Sequence, residues 1–207
     1  MTRKKAEAKI VKLVLIKEGT FHIPVTKNEY GNNVNYVTVG YPIMIIGAGQ
    51  EKTTIHGGFQ IQGEKEEKKR VDMQGMTMKG SSRHGLYAWN GLSFLCKDMT
   101  FTQCGWNGVG ALNTKGRLIN CVITQCGLCG IRCGSNALIE VEGDQTKVDG
   151  NVTDGYSSRY GLDTSHTSSI IHLLFPLTKE SVSTNNGGWG NYNSYGTIKT
   201  VDALESL

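Results

Sequence analysis

The stretch Phe101-Thr102-Gln103-Cys104-Gly105-Trp106-Asn107-Gly108-Val109 returns twenty-two residues later as Ile123-Thr124-Gln125-Cys126-Gly127-Leu128-Cys129-Gly130-Ile131. One unit earlier, Met78 precedes Gly85-Leu86 as Phe101 precedes Gly108-Val109, now at a shift of twenty-three, and Ser81 stands where the cysteines stand. Three consecutive units therefore share one frame, the signature of a chain built by stacking small repeats. Inside each unit the apolar residues come in short bursts, such as Leu118, Cys121 and Ile123, separated by corners rich in Asn, Gly and Gln. No run keeps a 3.6-residue period for ten residues, so the units predict short strands joined by polar turns.

A unit of this size cannot bury its own apolar face, and stacking like units buries a continuous column. The frame predicts that Met78, Phe101 and Ile123 lie one above the other, as do Ser81, Cys104 and Cys126. Gly85, Gly108 and Gly130 would recur at one corner, where a positive φ or a close approach of neighbouring backbones excludes a side chain. Further along, Ser157-Ser158-Arg159-Tyr160-Gly161-Leu162 echoes Ser81-Ser82-Arg83-His84-Gly85-Leu86, so the coils continue. The segment from Glu140 to Gly155 reads as a coil with a longer loop. Ser183 to Tyr195 reads as a surface loop before a last strand near Gly196 to Val201.

This pattern resembles the right-handed parallel β-helix of the pectate-lyase-like superfamily. The opening chain carries the likeness too: Leu15-Ile16-Lys17-Glu18-Gly19-Thr20-Phe21, then Val37-Thr38-Val39, then Pro42-Ile43-Met44-Ile45-Ile46-Gly47-Ala48-Gly49 and Thr53-Thr54-Ile55-His56-Gly57-Gly58. The resemblance covers residues 10 to about 165 well and the rest loosely. It implies an all-β, right-handed parallel β-helix solenoid of about six or seven coils of 22–23 residues. The chain reads as a single β-helix domain over 1–207, with an N-terminal cap and first strand at 1–20, coils at 34–180, and a loop and C-terminal coil at 181–207.

Composition agrees with a chain that turns often and is seldom interrupted: 27 glycines and only 3 prolines in 207 residues. A hydrophobic share of 38% against 19% charged residues supports a core and excludes wholesale disorder. Arg3, Lys4, Lys5, Lys9 and Lys12 against Glu7 account for the whole net charge of +4. No basic face is left to track phosphates, so no nucleic-acid partner is expected, and the mixed charged run from Glu64 to Arg70 reads as a solvated loop. No apolar stretch approaches the roughly 18 residues of a membrane span, and no membrane partner is expected. The start lacks the features of a signal peptide, and the six cysteines cluster within 96–133 as small buried thiols would. Both point to the cytoplasm rather than secretion.

Enzymes of the superfamily mostly cleave or epimerise acidic polysaccharides. The resemblance would then ask for carboxylates holding Ca²⁺ and an Arg or Lys as base, or for paired aspartates. The polygalacturonase, pectin methylesterase and alginate epimerase motifs are absent. No cofactor is expected, and Asp144 and Asp149, with Asp154 and Asp163, are the carboxylates that could hold calcium. His84 and Arg159 are the candidate catalytic residues, because a histidine beside Arg83 resists protonation and could act as a base. Cys121, Cys126, Cys129 and Cys133 invite a zinc reading that the stacking frame argues against, and Asn151-Val152-Thr153 is a glycosylation sequon.

The remaining signal is aromatic. Trp89, Trp106 and Trp189, with Tyr156, Tyr160, Tyr192 and Tyr195, fall mostly at turns or corners, where exposed rings stack on sugars or anchor a protein. Arg83, Trp106, Asn107 and Tyr160 are the candidate ligand-binding residues. The expected function is a non-catalytic module binding a polysaccharide or protein partner along one wall. The alternative is a lyase, epimerase or hydrolase, which needs a carboxylate with Arg83, His84, Lys147 or Arg159 in one groove.

Overall fold

A computed structural model describes residues 12–63, 70–155, 158–193 and 195–204. The expected cap over residues 1–11, most of the charged run, at 64–69, and Tyr156 lie outside them. Over the described residues the chain is all-β apart from one helical turn at Lys179–Val182, capped by reciprocal bonds between Thr178 and Ser181.

Apart from a short antiparallel pair, Thr26–Lys27 with Asn33–Val34, the strands fall into three rows whose members pair in parallel. The first runs Leu13–Ile16, Met44–Gly47, the front of Arg70–Lys79, the front of Ser93–Thr102, Lys115–Ile119, Leu138–Glu142, Ile170–Leu174 and Thr197–Val201. The second runs Gly19–His22, Thr53–His56, the backs of the same two long strands, Val122–Thr124, Lys147–Asp149 and Ser183–Thr184. The third runs Tyr36–Val39, Gly58–Gln62, Leu86–Trp89, Val109–Leu112, Ile131–Gly134, Tyr160–Thr164 and Gly190–Tyr192. The chain visits each row in turn, an arrangement compatible with a parallel β-helix. Phe101 pairs with Met78 on one side and Ile123 on the other, all three fully buried, as the repeat frame requires.

Each row alternates inward apolar and outward polar side chains, so the inner faces form one core running the length of the stack. The glycine corner is explained by crowding rather than by backbone angle. Gly85, Gly108 and Gly130 are not among the residues with positive φ. A Cβ on Gly85 would sit 2.8 Å from the Gly108 carbonyl, and one on Gly108 would run into Ile123 Cγ2. Positive φ falls instead on polar corner residues, Asn90 and Asn113 in one column and Gln103 and Gln125 in another. Their side chains hydrogen-bond from coil to coil at 3.2 Å, which offsets part of the conformational cost.

The segment 183–195, expected as a loop, also contributes to two rows. Asn186 is the reason: its amide donates to the carbonyls of Val148 and Thr184 and organises the turn between Ser183–Thr184 and Gly190–Tyr192. Turn composition here reflects side chains that replace backbone partners, rather than a break in the stack.

Candidate functional site

The outer face of the third row carries the features that the inner face lacks. In the strand Leu86–Trp89, Leu86 and Ala88 are buried in the core, and Tyr87 and Trp89 turn outward. Register then aligns Gln60, Tyr87, Gly110 and Arg132 in one outward column, and Asp163, next in register, is buried at 3% exposure against Asn193 and Cys129. The Tyr87 ring lies over Gly110, where a Cβ would come within 2.9 Å of it. The corner just before each strand supplies a second column of Arg83, Trp106 and Leu128, with Trp106 N–H donating to the Arg83 carbonyl, Leu128 N–H to that of Trp106 and Val152 N–H to that of Leu128.

Between these columns lies a cavity of about 450 Å³ whose lining includes His84, Tyr87, Trp106, Arg132, Asp154 and Arg159. A second, of about 640 Å³, continues it toward Tyr30, Tyr36 and Trp89. Both share His84, Tyr87 and Trp106, so they form one groove across several coils.

His84 stacks on Tyr87 with ring centroids 4.5 Å apart and meets Trp106 edge-on at 5.3 Å. The Arg83 guanidinium lies over Trp106 at 4.4 Å from the ring centre. Burial, with Arg83 and Arg132 nearby, depresses the His84 pKa to about 3. The imidazole is therefore neutral, and its buried Nδ1 has no hydrogen-bond partner. Arg159 Nε is in the same condition. Both residues line the same cavity, and each holds a buried polar atom that no protein group satisfies.

Of the residues expected from sequence, the groove brings together His84, Arg159, Arg83, Trp106 and Asn107. Asn107 is 2% exposed and its carboxamide oxygen accepts from Cys129 N–H at 3.0 Å, so part of it serves the frame. Tyr160 packs edge-on against Trp189 at 6.1 Å and does not line the groove. Lys147 belongs to the second row.

Asp144 and Asp149, the calcium candidates, do not converge. Asp144 precedes the second-row strand Lys147–Asp149 and Asp149 ends it, and the Asp149 carboxylate accepts from Thr184 Oγ1 at 2.6 Å and Asn185 Nδ2 at 2.8 Å, bonds that lower its pKa. Among the described residues no three His, Cys, Asp or Glu side chains are placed to share a metal. The cysteine sulfurs also diverge: Cys121 reaches the Ile119 carbonyl, Cys126 that of Thr124, Cys129 the Asp163 carboxylate and Cys133 that of Ala137. All six thiols are buried. Asn151 of the sequon is 1% exposed with its amide bonded to the Ile123 carbonyl, a position no glycan could occupy.

Tyr87, Gly110, Arg132 and the groove role of Asp154 escaped the sequence reading. Gly110 and Arg132 stand one residue after the repeated Val109 and Ile131, so the signal was the set of outward positions, which vary where the frame repeats. Among the described residues no helix is long and apolar enough to cross a membrane. The chain matches no protein-family model, no curated protein and no solved structure, so geometry alone carries the functional reading.

Proposed function

We propose that the three rows are the faces of a right-handed parallel β-helix of about seven coils, and that it is a non-catalytic module binding a glycan in the groove of the third row. The observation that carries this is the pairing of stacked rings at His84, Tyr87 and Trp106 with the guanidinium groups of Arg132 and Arg159 across one cavity. Sugar rings present C–H faces to aromatic rings and hydroxyls to polar walls, and a guanidinium fits a carboxylate or sulfate in a bidentate way. The glycan accordingly carries an acidic group, seated at the arginine end.

A second reading has a specific observation behind it: Asp154, His84 and Arg159 line the same cavity, the convergence a lyase or epimerase needs. The weakness of His84 as a base favours the first reading. A conjugate acid of pKa about 3 removes a proton poorly near neutral pH, where a general base works best with a pKa close to ambient.

The experiment is to incubate the protein with acidic and neutral polysaccharides, with and without calcium, and to follow chain length, uronate configuration and binding in parallel. Binding to an acidic polymer with chain length and configuration unchanged is the expected result. Shortened or epimerised chains would replace the first reading with the second, and the absence of binding to every polymer would remove both.

A further inference from the structure

Beneath the groove, the corner between the second and third rows carries an inward ladder of small polar side chains. Ser81, Cys104 and Cys126 occupy it in successive coils, 2%, 1% and 0% exposed. Asn151 continues it, its carboxamide accepting from Cys126 N–H at 3.1 Å, and Asn186 caps Asn151 N–H in turn at 2.9 Å. At the last two steps a side-chain hydrogen bond ties one coil to its neighbour. The step between Cys104 and Cys126 pairs two thiols instead.

The two cysteines are in register. Thr102 pairs with Thr124, and Gly127 N–H donates to the Cys104 carbonyl at 2.8 Å, so the ladder is unbroken on both sides of the pair. Each sulfur sits near the carbonyl two residues back, Cys104 over Thr102 at 3.7 Å and Cys126 over Thr124 at 3.5 Å. The side chains therefore share one orientation, stacked in successive coils. Neighbouring parallel strands stand about 4.8 Å apart, inside the Cα separation of about 4.4–6.8 Å that a disulfide spans. Cys96 and Cys121 are also neighbours, with Cys121 Sγ at 3.5 Å from the Cys96 carbonyl. They are out of register, because Cys96 pairs with Leu118.

We propose that Cys104 and Cys126 are a redox staple, able to close a disulfide between adjacent coils directly under the groove. A low-molecular-weight disulfide such as oxidised glutathione is the oxidant. One cysteine thiolate attacks it, forming a mixed disulfide and expelling one reduced glutathione. The second thiolate attacks the protein sulfur of that mixed disulfide, forming the Cys104–Cys126 bond and expelling the second. The two cysteine thiols lose two protons and two electrons, which the two glutathione molecules carry away. Because both sulfurs are buried, the exchange takes place while the coils form or when this corner opens. The bond fixes the spacing between the coils that present Trp106 and Leu128 to the groove.

The test is to refold the full chain from urea in oxidised and in reduced glutathione, then unfold it, alkylate free thiols and map the peptides by mass spectrometry. The expected result is four alkylated cysteines and one linked Cys104–Cys126 peptide after oxidation, and six alkylated cysteines after reduction. The linked protein should melt higher by roughly 6–12 °C, reversibly on adding reductant, as closing a loop of this length stabilises. C104S and C126S supply the controls and should fold, since Ser81 already occupies the same rung position. Each should leave all five remaining thiols reactive. Six reactive thiols after oxidative refolding, a Cys96–Cys121 link in place of the expected one, or a linked protein that melts no higher would each overturn the proposal.

Discussion

The two faces of the third row are built by the same strands and differ in what they repeat. Inward, Phe59, Leu86, Val109, Ile131 and Leu162 follow one another, then Ile61, Ala88, Ala111 and Cys133, with little change of character. Outward, the register passes from Gln60 to Tyr87, Gly110 and Arg132, no two alike. Stacking constrains the inner column, because each side chain must fill the space between its neighbours. The outer column is released from that constraint, so its departures from the repeat mark where a ligand can be met.

The largest effect expected from breaking the comparison is on the inner side. Phe101→Ala empties a fully buried position between Met78 and Ile123 and should cost about 3–5 kcal/mol, read as a large fall in melting temperature or loss of the fold. Gly108→Val comes next. Its side chain would collide with Ile123 and lie 3.0 Å from the Gly130 carbonyl, and about 1–3 kcal/mol should be lost by the same measure. An unchanged melting point would contradict the stacking frame at that corner.

The outer side gives smaller, separable effects. His84 titrates near its ordinary 6.5 when unfolded but at about 3 when folded, so below pH 6.5 the unfolded chain holds the extra proton. Stability therefore falls as pH drops from about 6.5 toward 3, by about 2 kcal/mol at pH 5 for this group alone. Urea unfolding of the native protein and of His84→Asn at pH 7 and pH 5 should show the loss in the first and much less in the second. A parallel loss in both would place the acid sensitivity elsewhere. Trp106→Ala should change stability least, by under about 1 kcal/mol, and yet weaken glycan binding tenfold or more, because the ring is 41% exposed and forms a groove wall.

The fold was legible in sequence because burial repeats. Met78, Phe101 and Ile123 can be aligned by eye, and once aligned they fix which residues of the corner, Arg83, Trp106 and Leu128, stand in one column. The site was legible only where it touched that frame. Tyr87, Gly110 and Arg132 form a column through contrast, which internal similarity cannot flag. Asp154 arrives from the longer connection after Lys147–Asp149, whose path no repeat predicts. Between 183 and 195 the Asn and Gly residues look like loop because turns and coil-to-coil side-chain bonding use the same amino acids.

The most direct test of the groove as a glycan site is titration calorimetry of the native protein and of Arg132→Gln with an acidic oligosaccharide and its neutral, carboxyl-reduced counterpart. The native protein should bind the acidic form more tightly than the neutral one, and Arg132→Gln should lose most of that difference while keeping weak binding to both through the rings. Equal affinity for the two forms, or a preference untouched by Arg132→Gln, would contradict the assignment of the acidic group to the arginine end of the third row.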